Sequence, residues 1–464
     1  MPRTITTSLV VLVIVSAGLN VPHAEAQRSG GAYAGYLAAT VADDGGLEVV
    51  MSENDDRLLT PASVLKVITV SAVLDLLGPE YRWSTTLETS ADVLNGVVQG
   101  DLVLVPGADP TWNDELTEPD GHVAVRALIA QIQSGGVRRI QGDLVVDTGR
   151  FPGRRHPTDR DFSDLPYRFG TPPAPLALDD ATVRIQVAAG AEIGGPVRVT
   201  APVDLDVINL ARTVGQNRHG EGTLDLVPLW GTDTLLLQGE FPVSESAFRI
   251  AVSDPAPVSR AARRVAEMLA EDGVELAGTV RLEPELGDTN RRVLAEFRSS
   301  PLSEVLDRVL ADSHNWTADM LVLTLGWEVA RTGRFDDGVA VITDFLERTV
   351  GSDAAWSLED GSGLSAGNLI TPRAVVTVLA YALRQPWGGT LFEALATPGQ
   401  GTLESWPALP PLSAKTGTLQ HTVGLAGVLR QDSTAPVVFC YFVNHHPGRP
   451  SAARREIAAA LEQW

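Results

Sequence analysis

Two lysines are the residues of this sequence with the clearest chemical potential. The chain has 36 basic residues, and all of them except Lys66 and Lys415 are arginines. A guanidinium stays charged at neutral pH, whereas an amine can lose its proton when it is buried and then act as a base. Lysine is therefore expected at positions where arginine cannot do the chemistry, and chance in an arginine-rich composition is the alternative.

Lys66 follows Ser63 by three residues in a segment that is otherwise apolar. Thr60 and Pro61 predict a helix start, as N-cap and first helical residue, and the apolar residues up to Leu74 predict a buried helix. Residues three apart share one helix face, and burial lowers the pKa of an amine. The spacing predicts a serine nucleophile activated by Lys66; a lysine that snorkels from a helix end is the alternative.

A second candidate site is a run of four residues, Lys415, Thr416, Gly417 and Thr418. Apolar runs at 423–429 and 437–443, with a turn at 431–434, predict an antiparallel pair, and we expect the Lys415 stretch to be a strand beside it. Thr416 and Thr418 would then share one face, where their hydroxyls can bind a carboxylate near the Lys415 charge. Gly417 would let a substrate backbone approach closely.

A third element lies between the two lysines. Ser313, His314 and Asn315 separate predicted helices at 302–310 and 317–325. Three motifs therefore stand in the chain order Ser-x-x-Lys, Ser-x-Asn, Lys-Thr-Gly, which is similar to the set in penicillin-binding proteins and class A β-lactamases. Each motif is weak evidence alone, but their joint occurrence uses both lysines and is specific.

With these motifs the chain resembles the D-alanyl-D-alanine carboxypeptidase/endopeptidase family, the low-molecular-mass class C (type 4) penicillin-binding proteins. The resemblance covers nearly the whole mature chain. It extends to further segments, at 59–63, 100–104, 107–111, 136–144, 360–365 and 401–403. His314 departs from the family pattern, which often has Asp there, and we expect it to be structural or solvent-facing.

The resemblance implies a serine peptidase that uses no metal and no cofactor. Ser63 would attack the carbonyl of the penultimate D-Ala of peptidoglycan stem peptides and form an acyl-enzyme, with Lys66 as the general base. Ser313 would relay protons to the leaving amine, and Asn315 would hold Lys66 and the substrate amide. Water would then release the shortened peptide. Carboxypeptidase and endopeptidase activities would share this site, in a role in cell wall remodelling.

The resemblance also implies how the substrate is bound. Lys415, Thr416 and Thr418 would receive the terminal carboxylate of D-Ala-D-Ala, with Gly417 in the same binding strand. The backbone N–H groups of Ser63 and Thr418 would form the oxyanion hole. β-Lactams, which mimic the D-Ala-D-Ala end, would acylate Ser63 and remain bound.

The elements that position these motifs predict an α/β fold. The family implies a serine β-lactamase/transpeptidase-like domain, with an antiparallel sheet, flanking helices and an all-helical part, and a large β-rich insertion between the first two motifs. We place the catalytic domain at 27–84 and 293–464, accessory domain II at 85–150 and 246–292, and accessory domain III at 151–245. Predicted elements include strands at 33–41, 47–51, 181–187 and 273–280 and helices at 123–132, 258–269 and 451–461.

Composition excludes several other classes. With 44% hydrophobic and 20% charged residues the chain is globular. Its net charge of −22 makes it a poor binder of nucleic acid or anionic membranes. Cys440 is the single cysteine, so an intramolecular disulfide and the usual zinc spacings are excluded. We expect it to be a small hydrophobic residue in a buried strand.

The first 26 residues predict a secretory signal peptide. Arg3 precedes an apolar run at 8–19 and a small-x-small site at 24–26. The mature chain is therefore expected outside the cytoplasmic membrane, in the periplasm or associated with the cell wall. No later segment is long and apolar enough to span a bilayer, and an uncleaved N-terminal anchor is the alternative.

Three other functions compete with this interpretation of the sequence. Gly363 to Gly367 matches the G-x-S-x-G motif of α/β-hydrolases around Ser365, with Asp432 and His445 following; the motif lacks a preceding strand and an immediate helix. Glu283 to Leu286 is similar to the deacylation segment of class A β-lactamases but lies before Ser313 rather than after it. A non-catalytic wall-binding protein would be expected to lack a motif residue, and none is missing.

Overall fold

The computed structural model describes residues 31–42, 45–113, 122–153, 157–201, 205–215, 223–229, 234–284, 290–429 and 436–462. The predicted signal peptide, the turn at 431–434, Asp432 and the second half of the Glu283–Leu286 segment lie outside these residues. The chain divides into two compact units. One contains Arg184–Ile250, and the other contains Gly30–Val183 together with Ala251–Trp464. The predicted boundaries of the two accessory domains stay predictions.

Nine α-helices are present in the described residues. They are α1 (Leu65–Leu77), α2 (Val123–Ser134), α3 (Pro257–Glu271), α4 (Leu306–Leu310), α5 (Asn315–Glu328), α6 (Phe335–Val350), α7 (Pro372–Leu383), α8 (Gly388–Glu393) and α9 (Pro450–Leu461). The helices predicted at 123–132, 258–269, 317–325 and 451–461 are all confirmed, with ends that differ by a few residues.

Twenty-four strands are present in the described residues. In chain order the strands are β1 (Tyr33–Val41), β2 (Leu47–Glu53), β3 (Ser84–Thr89), β4 (Val93–Leu94), β5 (Val97–Val98), β6 (Leu102–Val105), β7 (Arg139–Ile140), β8 (Leu144–Asp147), β9 (Thr182–Ala188), β10 (Arg198–Thr200), β11 (Asp206–Asn209), β12 (Arg212–Val214), β13 (Asp225–Leu229), β14 (Thr234–Gln238), β15 (Glu240–Pro242), β16 (Phe248–Ser253), β17 (Glu275–Leu276), β18 (Val280–Glu283), β19 (Arg292–Arg298), β20 (Trp356–Ser357), β21 (Leu369–Ile370), β22 (Leu412–Leu419), β23 (Thr422–Leu429) and β24 (Val437–Asn444).

A five-stranded antiparallel sheet carries the third motif. Its order is β2-β1-β24-β23-β22, so the strand with Lys415 lies at one edge, beside the predicted antiparallel pair. Alternate residues of β24 face two apolar clusters: Cys440 and Phe442 pack in the cluster that contains α1 and α7, and Phe439 and Tyr441 pack in the one that contains α9. The sheet is therefore covered by helices on both faces, and Cys440 is buried as predicted.

Helix α1 is buried on all sides, as its apolar sequence predicts. Its predicted start was wrong. Thr60 does not cap it; instead Ala62–Val64 form a 3-10 turn and the α-helix begins at Leu65. Ala62 has φ +47°, in the left-handed region, which is incompatible with an α-helix that starts at Pro61.

The chain between the first two motifs is rich in strands. A mixed five-stranded sheet has the order β18-β8-β6-β3-β19, and a four-stranded one has the order β17-β7-β5-β4. The single strand predicted at 273–280 is wrong, because β17 and β18 belong to these two different sheets. Within the unit Arg184–Ile250, β11-β14-β13 form one sheet and β12 pairs with β15. Among the described residues, no helix is long and apolar enough to cross a membrane.

Candidate active site

The Lys66 amine joins the first two motifs. Its Nζ atom lies 2.9 Å from Ser63 Oγ and 2.6 Å from Asn315 Oδ1, and it donates to the backbone carbonyl of Ser362 at 2.6 Å. Lys66 is completely buried, whereas Ser63 is partly exposed. A partly exposed hydroxyl in hydrogen-bond contact with a buried amine is the geometry of an activated nucleophile.

Two helix starts bring these groups together. Ser63 lies in the 3-10 turn ahead of α1, and Lys66 is the second residue of that helix. Asn315 is the first residue of α5, whose N-cap is His314: its ring accepts from the backbone N–H of Thr317. His314 thus has a structural position. Ser313 precedes it with φ +63°; within the described residues its side chain makes no hydrogen bond with Ser63 or Lys66.

Strand β22 lies directly against the Ser63 turn. A Cβ atom added at Gly417 would be 2.6 Å from the carbonyl oxygen of Pro61 and 3.2 Å from Val64 Cγ2. Since side chains alternate along a strand, Lys415 lies on the same face as Gly417, and Thr416 and Thr418 lie on the opposite face. The third motif is therefore brought against the Ser63 turn by close backbone packing that only glycine permits.

We predict that Gly417→Ala slows acylation. The added methyl group must displace backbone of the Ser63 turn or of β22, and misplacement of reacting groups by about 1 Å can cost about 10²-fold in rate. The rate of D-Ala release from a D-Ala-D-Ala peptide measures the effect. Gly389→Ala is the matched control because a Cβ there would meet nothing within 4 Å. Equal rates for Gly417→Ala and the wild type would contradict the proposed packing constraint.

The side chains of β22 differ in exposure. Lys415 is completely buried and donates to the carbonyl of Thr416 at 2.8 Å, whereas Thr418 is exposed. Burial lowers the pKa of Lys415 well below its ordinary value, and the neighbouring Lys66 lowers it further. Thr416 Oγ1 lies 2.7 Å from Thr402 Oγ1. Two hydroxyls that share one hydrogen bond leave one O–H group available to a further acceptor.

The electrostatics around Lys66 favour the neutral amine. Burial lowers its pKa to about 7, although the carboxylates of Asp319 and Asp360 oppose the shift. The Arg160 guanidinium lowers it further. Burial also raises the pKa of Asp319 to about 6. An amine with a pKa near neutrality is suited to take a proton from a hydroxyl.

Four groups that complete this site were missed by the sequence analysis: Arg160, Asp319, Asp360 and the carbonyl of Ser362. Asp319 did carry a signal, since it is a lone carboxylate in an apolar helix and such a group needs a buried partner. Asp360 and Ser362 lie in a segment that the family resemblance includes, without an assigned role. Arg160 is one of many arginines and carried no signal.

The competing serine lacks the context of a nucleophile. Ser365 is fully buried, and its Oγ donates to the carbonyl of Asp159 and accepts from the N–H of Gly367. The G-x-S-x-G motif requires a strand before the serine and a helix directly after it. Here the nearest helix, α7, begins at Pro372.

Comparison with known proteins agrees with this architecture. The model of the D-Ala-D-Ala carboxypeptidase 3 (S13) family matches residues 22–464. A D-alanyl-D-alanine carboxypeptidase of Actinomadura sp. (strain R39) is 30% identical over 454 residues, covering 94% of this chain and 82% of the relative.

Solved structures show the same fold. Penicillin-binding protein 4 (dacB) from Haemophilus influenzae superposes with a TM-score of 0.79 at 24% identity, covering 91% of this chain and 92% of that one. The same protein complexed with a β-lactam gives a TM-score of 0.77 at 23% identity, covering 94% and 98%. The predicted fold class and the family resemblance are both confirmed, and the chain belongs to the D-Ala-D-Ala carboxypeptidase 3 (S13) family of serine peptidases.

Proposed function

We propose that Ser63 is the nucleophile of a D-alanyl-D-alanine carboxypeptidase reaction on peptidoglycan stem peptides. Ser63 attacks the carbonyl of the penultimate D-Ala, the terminal D-Ala leaves, and water hydrolyses the acyl-enzyme. The observation that carries the proposal is the 2.9 Å contact between Ser63 Oγ and the Nζ of Lys66, within a chain whose family consists of such peptidases.

The hydrogen-bond partners of Lys66 determine whether its lone pair is free to accept the proton of Ser63. A neutral amine has two N–H donors and one lone pair, and an amide oxygen or a peptide carbonyl can only accept. The two N–H groups are therefore committed to Asn315 Oδ1 and the Ser362 carbonyl. The lone pair is left for Ser63, the one partner that can donate a proton, and Lys66 acts as the general base.

Asn315 and Ser313 serve the later proton transfers. Asn315 holds Lys66 through Oδ1 and is itself fixed by a hydrogen bond from Nδ2 to the carbonyl of Phe169 at 2.9 Å. Ser313 lies two residues away on the same turn and relays the proton to the leaving amine. Its left-handed backbone, with φ +63°, is the kind of local strain found at functional sites.

Strand β22 binds the terminal carboxylate. The hydroxyls of Thr416 and Thr418 donate to it, and the Lys415 charge stabilises it. An arriving carboxylate opposes the burial that lowers the pKa of Lys415, so substrate binding and protonation of Lys415 are coupled. The backbone N–H groups of Ser63 and Thr418 form the oxyanion hole, and the close packing at Gly417 supports this pairing.

The proposed reaction also accounts for inhibition by β-lactams and for a location outside the cytoplasm. β-Lactams acylate Ser63 in place of the peptide, as supported by the penicillin-binding relative with the same fold. The leader at residues 1–26 directs the chain out of the cytoplasm, to the periplasm or cell wall, where its substrate lies. Cross-linked peptides that present D-Ala in the same position are candidate endopeptidase substrates.

The substrate assignment is tested with stereoisomers of one peptide. Purified enzyme is expected to release a single D-Ala from an N-acylated peptide that ends in D-Ala-D-Ala, and to leave the D-Ala-L-Ala isomer intact. Prior incubation with penicillin should abolish the release. Released alanine is measured by chiral chromatography, which quantifies both D-Ala and L-Ala. Release that persists after penicillin treatment, or equal cleavage of both isomers, would contradict the proposal.

A further inference from the structure

A buried cluster of three charges lies behind the candidate active site. Arg160 is 2% exposed, and Asp319 and Asp360 are not exposed at all. The Nη2 of Arg160 forms ion pairs with both carboxylates, at 3.1 Å to Asp360 Oδ2 and in close contact with Asp319 Oδ2. Charges this deeply buried are tolerated only when they are paired, so the guanidinium compensates two carboxylates at once.

The cluster is connected to Lys66 through Ser362. Nη2 of Arg160 also donates to Ser362 Oγ at 3.0 Å, and the carbonyl of Ser362 accepts from Lys66 Nζ at 2.6 Å. Asp360 fixes the loop on the far side of Ser362, because it accepts from the N–H groups of Gly363 at 2.7 Å and Ser365 at 2.9 Å. Arg160 therefore holds one of the two acceptors that orient the amine.

The other acceptor is held by the same stretch of chain. Asn315 Nδ2 donates to the carbonyl of Phe169, and Asp180 forms an ion pair with Arg308 at 2.8 Å and contacts His314 Nε2 at 3.3 Å. All of these contacts come from residues 157–183, which lie between the first two motifs. The two acceptors of Lys66, the Ser362 carbonyl and Asn315 Oδ1, are therefore both held in place by residues of the predicted insertion.

The charges that face Lys66 have opposite signs. The carboxylates of Asp319, on α5, and Asp360, in the loop after β20, raise the pKa of the amine, whereas Arg160 lowers it. Lys415, on β22, is a second buried amine within electrostatic range, and its own pKa is lowered by burial and by Lys66. Removal of Arg160 would therefore favour the ammonium, and removal of a carboxylate would favour the free amine.

We propose that Arg160 is a positioning residue for acylation, which holds Ser362 and the two buried aspartates so that Lys66 presents its lone pair to Ser63. The insertion then has a direct task in the reaction, since it supplies a side chain without which the site of the catalytic domain is incomplete. This inference rests on the role proposed for Lys66.

The test is the pH profile of kcat/KM for D-Ala release, which reports the groups that titrate in the free enzyme. We expect Arg160→Gln to move the midpoint of the acidic limb up by about one pH unit and to lower the rate at pH 7 about tenfold. Asp319→Asn should move the midpoint down by about one pH unit. Arg160→Lys should keep the midpoint and lose rate, because lysine keeps the charge but not the fork of donors.

Arg291→Gln is the matched control. Arg291 is another poorly exposed arginine that pairs with two carboxylates, Glu88 and Asp147, but in the mixed sheet β18-β8-β6-β3-β19. Its loss should lower the melting temperature without shifting the midpoint of the acidic limb of the kcat/KM profile. Shifts of opposite sign for Arg160→Gln and Asp319→Asn support the proposal. An unmoved limb, or shifts of the same sign, would overturn it.

If Arg160→Gln does not fold, Asp319→Asn decides alone: a midpoint that falls supports the proposal and one that stays overturns it. If Lys66→Arg retains normal turnover, the role of Lys66 itself is wrong, which is a failure distinct from that of Arg160.

Discussion

Ser63→Ala is expected to reduce D-Ala release by about 10⁴-fold or more, to the residual level that binding and an oxyanion hole alone provide. In the proposed reaction the hydroxyl oxygen of Ser63 forms the acyl-enzyme, and alanine leaves no nucleophile in its place. Since Ser63 is partly exposed and its Oγ shares a single hydrogen bond with Lys66 Nζ, its loss should change the fold little. The kcat of purified variants, with melting temperatures measured in parallel, checks this.

Ser365→Ala is the control for that experiment. Ser365 belongs to the competing G-x-S-x-G motif, and its hydroxyl bonds only backbone groups of Asp159 and Gly367. We expect the variant to lose about 1 kcal/mol of stability and to keep its turnover. If Ser365→Ala is inactive and Ser63→Ala is active, the nucleophile has been assigned to the wrong serine.

Lys66→Arg is expected to lower the acylation rate by about 10²- to 10⁴-fold, the usual contribution of a general base. Arginine keeps the positive charge and can donate to Asn315 Oδ1 and the Ser362 carbonyl, but it has no lone pair at neutral pH. In the wild type the free amine becomes available as pH rises through about 7, where the pKa of Lys66 lies. The rate should therefore rise through that range, and the variant should lack this limb.

A second variant guards against misfolding. Lys66 is completely buried, so a larger guanidinium can strain the core by about 1–3 kcal/mol. Lys66→Met has a similar length, no charge and no base, and should be equally slow. Stopped-flow acylation at several pH values measures both variants. A near-normal rate for either one would show that another group removes the proton of Ser63.

The motif residues could be predicted because their signals are local. Ser63 and Lys66 are separated by less than one helical turn, and the strand with Lys415 was expected from the antiparallel pair predicted directly after it. The apolar runs that became β23 and β24 supplied its neighbours. Hydrophobic periodicity of this kind is readable from a few consecutive residues.

The exact start of α1 could not be predicted because a distant residue determines it. Thr60 is a good N-cap by type, but its N–H donates to Asn444 Oδ1 at 2.8 Å and its carbonyl accepts from Asn444 Nδ2 at 3.2 Å. This pairing with the end of β24 holds Thr60 to the sheet. The chain then passes through the left-handed Ala62 before the helix begins, so a tertiary contact overrides the local preference.

The buried cluster of Arg160, Asp319 and Asp360 behind Lys66 could not be predicted from the sequence for a similar reason. Asp319, a carboxylate in an apolar helix, predicts a buried cationic partner, but that partner, Arg160, is 159 residues away in the chain. Ser362 contributes its backbone carbonyl, a group that every residue has, so its type carried no information. Only the structure shows which of the many arginines lies in the predicted insertion and contacts the site.

The central claim is that Ser63 forms the acyl-enzyme, and intact-protein mass spectrometry with a penicillin tests it most directly. The mature wild-type chain is incubated with the drug beside Ser63→Ala and Ser365→Ala. We predict one stable drug adduct on the wild type and on Ser365→Ala, and none on Ser63→Ala. An adduct of equal yield on Ser63→Ala, or rapid hydrolysis of the drug with no adduct on the wild type, would contradict the account.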